Sequence, residues 1–110
     1  MNIQIFGTSK SFDTKKAERW FRERRIRFQS VDVKRYGLSR GELKSVCQAV
    51  GLEVMVDPKH PDAPLISYLA SEQAKLDKLF EDPSLLNVPI VRNGKQAAVG
   101  YCPEIWETWT

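Results

Sequence analysis

The sequence predicts an α/β domain, a four-stranded mixed sheet with helices on both faces, from three observations. An apolar run, Ile3 to Phe6, breaks at Gly7 and resumes at helical spacing in Ala17, Trp20 and Phe21. A second apolar-rich run covers 26–33, and near the other end Asn93-Gly94 separates two short apolar segments. Strand, helix and strand in succession form a right-handed crossover with parallel strands, whereas Asn-Gly between strands marks a tight antiparallel hairpin.

In the first unit, Ile3, Ile5 and Phe6 fit a buried strand, and Gly7, Thr8, Ser9 and Ser11 are turn formers. The helix that follows is expected from about Thr14 to Arg25, capped by Ser11 or Asp13, with Ala17, Trp20 and Phe21 on its inner face. The loop therefore lies at a helix start, where free backbone N–H groups and the positive dipole end favour an anion or a reactive thiolate. It contains no cysteine. Ile26 to Val33 supplies the second strand.

Ser39 and Glu42 then form a capping box, with Leu38 and Leu43 at hydrophobic-staple positions. Leu43, Val46, Cys47 and Val50 follow at i, i+3, i+4, i+7, and Gly51 is a natural stop, so Cys47 reads as a small core hydrophobe. Val54 to Pro64, with Pro58, Pro61 and Pro64, reads as an irregular loop. His60 lies there without a second histidine or a nearby cysteine, which favours a solvated side chain over a metal ligand.

A short helix around Leu65 to Leu69 and another from about Glu72 to Glu81 come next, the second offering Leu76, Leu79 and Phe80 to the core until Pro83 breaks it. Pro89 to Arg92 and Gln96 to Gly100 are the hairpin strands. Cys102-Pro103 opens a last helix, from which Ile105, Trp106 and Trp109 can pack back on the sheet. At that helix start a thiolate would be favoured, so Cys102 is the better placed cysteine for reactivity, against the blander reading of a capping position.

Composition excludes several classes. The 110 residues suit one core, and 42% apolar with 28% charged residues is ordinary for a globular protein. No run approaches the roughly 18 apolar residues of a membrane span. Met1 leads straight into a strand without a signal-peptide pattern, so a cytoplasmic location is the default expectation. Two cysteines outside any C-x-x-C pair give neither a disulfide framework nor a zinc set. The formal charge of +3 is uneven: residues 15–35 hold nine Lys or Arg against three Asp or Glu, a local +6 that leaves −3 elsewhere. A solvated helix face with cations at its negative end accounts for this better than direct nucleic-acid binding, since no aromatic side chains interleave on an exposed face.

Two segments carry a resemblance. Phe6-Gly7 leading to Lys15-Lys16-Ala17-Glu18-Arg19-Trp20, and Asp82-Pro83-Ser84-Leu85-Leu86-Asn87-Val88-Pro89-Ile90-Val91 followed by a hairpin and Val99-Gly100-Tyr101, resemble the arsenate-reductase-like (ArsC/Spx) family of thioredoxin folds. The resemblance spans nearly the whole chain. It implies strand order 2-1-3-4, a single domain over 1–110 with a helical insertion at about 38–82, and a cis-proline at Pro89 beside the 8–14 loop. It also puts the family's catalytic cysteine at Ser11, the Spx-type second cysteine at Thr14, and Val88 where members with reductase activity carry arginine. A basic residue that helps the family bind oxyanion has Lys59 as its only local counterpart. The ligand-binding set so implied is Lys10, Ser11, Phe12, Lys15, Lys59 and Pro89.

Thiol chemistry at a helix start works because a thiol of pKa near 8.5 can be moved into the neutral range, whereas a serine cannot be moved so far. Ser11 would need a general base and an orienting group, and the lone His60 lies in a distant loop. The favoured reading is thus a non-catalytic, protein-binding or regulatory member, as Spx regulators bind RNA polymerase. Two alternatives stand beside it. One is a thiol-dependent reductase in which Cys102 or Cys47 replaces the missing thiol, or in which the loop orients glutathione. The other is a small-anion or thiol-peptide binder using the helix start with Lys10 and Lys15. No bound cofactor or metal is expected.

Overall fold

The computed structural model describes residues 1–109. Strand β1 (Ile3–Gly7) leads through a short loop into helix α1 (Phe12–Glu23) and strand β2 (Phe28–Asp32), followed by a one-turn helix α2 (Val33–Tyr36). The insertion comprises α3 (Arg40–Val50), α4 (Leu52–Met55), α5 (Ala63–Ser67), α6 (Glu72–Glu81) and a 3-10 turn over Pro83–Leu85. Strands β3 (Ile90–Asn93) and β4 (Gln96–Val99) form the hairpin, and α7 (Pro103–Trp106) runs into a second 3-10 turn, Glu107–Trp109.

The sheet order is β2-β1-β3-β4, with β1 parallel to β2 and antiparallel to β3, and β3 antiparallel to β4. Helices cover both faces, because β1 sends alternate side chains into two cores. Ile3 and Ile5 join Ala17, Trp20, Phe21, Val91, Ala98 and Trp106 on the α1 side. Phe6 joins Leu43, Val46, Met55, Leu79, Leu85 and Ile90 on the side of the insertion. The first core is built on aromatic edges: Trp106 is fully buried, with its ring centroid 5.3 Å from that of Trp20 and 5.1 Å from that of Phe21. No helix among the described residues is long and apolar enough to cross a membrane.

Several element boundaries differ from expectation for local reasons. Helix α1 starts two residues earlier than predicted because Ser11 is the cap that acts, its Oγ accepting from the Thr14 N–H at 3.1 Å. It ends earlier too, in a Schellman closure in which Arg25 N–H donates to Arg22 O and Ile26 N–H to Phe21 O, with Arg25 at φ 57. That shortens β2 at its start. At its end, Asp32 accepts from the Lys34 N–H and turns the chain into α2.

The predicted irregular loop over 54–64 is more structured than its prolines suggest. Leu52–Met55 is a helical turn, Val56 bridges Leu86, and α5 starts at Ala63 because Pro64 sits in its first turn, where proline is tolerated. Two predicted core residues, Phe80 and Ile105, are each 40% exposed. Phe80 instead lies under the Arg40 guanidinium, 4.2 Å from its ring centroid, while Arg40 Nη1 reaches Asp77 at 2.6 Å. The hairpin turn is one residue later than expected: Asn93 pairs with Gln96, leaving Gly94-Lys95 as the loop, with Gly94 at φ 59. Glycine at the first central position is what a type II′ turn requires.

Trp106→Ala should lower stability by about 3–5 kcal/mol in urea unfolding, because the site cannot collapse around so large a void. Phe80→Ala should cost under about 1 kcal/mol, the scale of an exposed cation–π contact. Equal losses for the two would contradict the division between core and surface described above.

Candidate functional site

The loop between β1 and α1 is held by three local features. Ser11 N–H donates to Thr8 O at 3.2 Å, Ser11 Oγ caps Thr14, and Gly7 lets the first turn of α1 settle onto the end of β1. A Cβ at Gly7 would stand 2.3 Å from Thr14 Cγ2 and 2.4 Å from its Oγ1, so no other residue fits without displacing the helix. Thr14 is buried, and its Oγ1 has no hydrogen-bond partner.

The predicted site residues are brought together only in part. Lys10, Ser11, Phe12, Thr14 and Lys15 are contiguous around the helix start, with Lys10, Phe12 and Lys15 exposed. Lys15 Nζ stands 5.8 Å from the centroid of the Phe12 ring. Because Ile90 pairs with Phe6, Pro89 falls beside Gly7 at the same end of the sheet, and the Val88-Pro89 bond is cis. Its carbonyl is taken, accepting from the Gly100 N–H at 2.8 Å. Val88 is half-buried against the core on the insertion side. Lys59 does not join this group: it sits in the 57–60 turn, where its N–H donates to Asp57 Oδ1, and no hydrogen bond or ion pair ties it to the loop.

A cleft of about 310 Å³ opens beside the loop, lined by Gly7 to Ser9, Thr14, Lys15, Glu18 and 30–32. Glu18, Ser30 and Asp32 were missed from the sequence. Ser30 Oγ donates to Glu18 Oε2 across the crossover, a contact between residues far apart in the chain that no local spacing signals. Each acid is engaged, Glu18 by that hydroxyl and Asp32 by the Lys34 N–H.

Neither cysteine is primed. Burial raises the pKa of the Cys102 thiol, and the charges of Glu104 and Asp13 raise it further. Its Sγ donates to Val99 O at 3.3 Å. Of the two readings of Cys102, this geometry favours the capping position over a reactive thiolate, because the thiol is partly buried, α7 is a single turn and its neighbours are acidic. Cys47 is buried and its pKa is likewise raised, by burial first and then by the charge and hydrogen bond of Glu72.

His60, expected as a solvated loop side chain, has two hydrogen-bond partners within the chain. Its Nδ1 accepts from the Asp62 N–H at 3.0 Å, which leaves Nε2 as the protonated nitrogen facing Ser84 Oγ at 3.1 Å. Ser84 Oγ in turn donates to Asp82 Oδ1. Serine is thus the middle member of the chain, whereas nucleophile activation places histidine in the middle with an unprotonated nitrogen toward the hydroxyl. Ligand atoms of His60, Asp62 and Asp82 lie within 4.8 Å of one another, but both ring nitrogens are occupied by these bonds.

Residues 65–109 match the ArsC family. That match covers the later part of the insertion, the hairpin and the closing helix. Over 106 residues it is 27% identical to the global transcriptional regulator Spx 2 of Oceanobacillus iheyensis, covering 92% of this chain and 78% of that protein. Its fold is shared with an ArsC-family-related protein from Bacteroides fragilis, at TM-score 0.85 and 18% identity over 100% of both chains. The arsenate reductase from Vibrio cholerae is similar at TM-score 0.82 and 23% identity, over 96% of this chain and 94% of that one. In this chain the thioredoxin-like scaffold and the helix start are present, and the side chain at the loop's capping position is a serine.

Gly7→Ala should destabilise the protein by about 1–3 kcal/mol, and adding Thr14→Ala, which removes two of the three crowding atoms, should recover much of the loss. Additive losses in the double mutant would mean that this contact does not position α1. For the thiols, a raised folded pKa means the folded chain keeps its proton where the unfolded chain has lost it. Their contribution to stability is therefore present below the ordinary thiol value of about 8.5 and fades as pH rises through the folded value. Alkylation of Cys102 should accordingly be slow at neutral pH, with its rate midpoint above that of a free thiol.

Proposed function

We propose that this protein is a non-catalytic member of the ArsC/Spx group, a protein-binding or regulatory module that keeps the fold and has given up its thiol chemistry. The observation that carries the reading is the role of Ser11. Its hydroxyl is committed to capping α1, and among the described residues no base is hydrogen-bonded to it. Two further features support it: Val88 offers no guanidinium beside Pro89, and the thiols at Cys47 and Cys102 are held protonated by burial. The similarity to a transcriptional regulator points to the transcription machinery as the place of action. By that resemblance the partner is RNA polymerase, and the location is cytoplasmic.

The helix start also supports a weaker, accessory anion affinity. Backbone N–H groups and the dipole of α1 do not depend on a thiol, and among the described residues neither Lys10 nor Lys15 has a carboxylate partner. Sulfate titration followed by NMR should move the amides of residues 9–15. Shifts spread over all of α1 that vanish with modest salt would mean general screening instead.

The decisive assay is turnover of arsenate with glutathione, or of a model disulfide with a dithiol. The wild-type protein should show no rate above the uncatalysed control. Ser11→Cys should cost under about 2 kcal/mol through the weakened cap and give a thiol that alkylates faster than Cys47, still without efficient turnover. An oxyanion held through its charged transition state needs donors worth several kcal/mol, which Val88 cannot supply. Thiol-dependent turnover by the wild-type protein would overturn the proposal, and Cys102→Ser would then identify the thiol responsible.

A further inference from the structure

We infer that the free edge of β2 is the docking site for an acidic, extended segment of a partner protein, which adds as a fifth strand. This rests on the protein-binding reading above and says where and by what chemistry the partner is held. β2 pairs with β1 alone, so the backbone groups of Phe28–Asp32 that point away from β1 have no partner in the sheet. Among the described residues none of the turn and loop hydrogen bonds reaches them either. Such a row of unpaired donors and acceptors is a template for another strand, and proteins cover it, interrupt it with proline or a bulge, or, as here with Arg27, Lys34 and Arg35, flank it with charge that turns away like-charged strands. Here Gln29, Ser30 and Asp32 are exposed, and the strand holds no proline.

The surroundings select the occupant. A cleft at the start of β2 is lined by Arg22, Arg25, Arg27 and Phe28, and Lys34 and Arg35 follow its end. Among the described residues none of these five cations has a carboxylate within ion-pair distance, and they outnumber the nearby acids Glu18, Asp32 and Glu42, each of which already accepts a hydrogen bond within the chain. Arg25 keeps its place at φ 57, a conformation that glycine would adopt without strain. Along the insertion side of the strand runs a groove of about 560 Å³, lined by Val31, Tyr36, Leu38 and Phe80 among others, with Tyr36 68% exposed. An added strand presents alternate side chains to opposite faces, so one set can enter this groove while acidic groups meet the cations. A second copy of this chain is disfavoured as the occupant, because pairing β2 with itself would bring two sets of the same five cations together.

The test uses a short synthetic peptide alternating glutamate and valine, titrated into the whole protein at low salt with amide hydrogen exchange read by NMR. Binding should slow exchange of amides within 28–32, and methylating alternate backbone nitrogens of the peptide should weaken it about tenfold or more, since main-chain bonds carry strand addition. The double variant Arg27→Glu with Arg35→Glu, both exposed and outside the core, should lose affinity to a similar degree, and a lysine-for-glutamate peptide should not bind. Unchanged exchange over 28–32, equal affinity for the methylated peptide, or equally strong competition by oligothymidylate would overturn the proposal in favour of a general polyanion patch. These outcomes are independent of the arsenate and disulfide assays, so failure of the docking site and failure of the non-catalytic reading are separately visible.

Discussion

The architecture depends on one close approach, that of the Thr14 side chain to the bare Cα of Gly7. It sets the angle at which α1 leaves β1 and therefore where the helix start points. The same contact lets Ala17, Trp20 and Phe21 reach the α1 face of the sheet, where they close around Trp106 from the far end of the chain. Without that approach, the crossover that makes β2 parallel to β1 would have to swing outward. The contact also leaves Thr14 Oγ1 buried without a hydrogen-bond partner, a cost the fold accepts in return for position.

Position is what the thioredoxin-like scaffold contributes, and chemistry is separable from it. A helix start gathers N–H groups and positive potential whatever residue occupies it. A cysteine there can be ionised near neutrality; a serine accepts a hydrogen bond from the backbone and stays a hydroxyl. The loop consequently retains an electrostatic character that belongs to its backbone, while its side chain serves the helix.

Most of the fold was legible because it is written in local patterns. The capping box at Ser39 and Glu42 is formed in both directions, Gly51 ends α3, and the glycine-centred hairpin joins β3 to β4. Less was legible where tertiary contacts decide. Nothing in the sequence around Phe80 says that Arg40, forty positions upstream, will cover its ring instead of the core doing so. The three prolines of 54–64 suggested disorder of form, yet Val56 and Asp57 are tied to Leu86 and Leu85, and those bonds cross from the insertion to the approach of β3. At the site, Ser11 could be read in advance as one of two candidate caps beside Asp13, and the choice between them needed the structure. The engagement of Glu18 with Ser30 could not be read at all, since it exists only once α1 and β2 lie side by side.

The sheet that separates the two cores also limits how far a substitution on one face is felt on the other. Side chains of the insertion meet Phe6 and Ile90, and those of α1 and α7 meet Ile3, Ile5 and Val91, so few substitutions on one side are felt by direct contact on the other. The insertion can therefore drift, lengthen or be exchanged for a relative's while the aromatic side stays fixed. Half of such a body can be rebuilt with the turn at Gly7 left untouched.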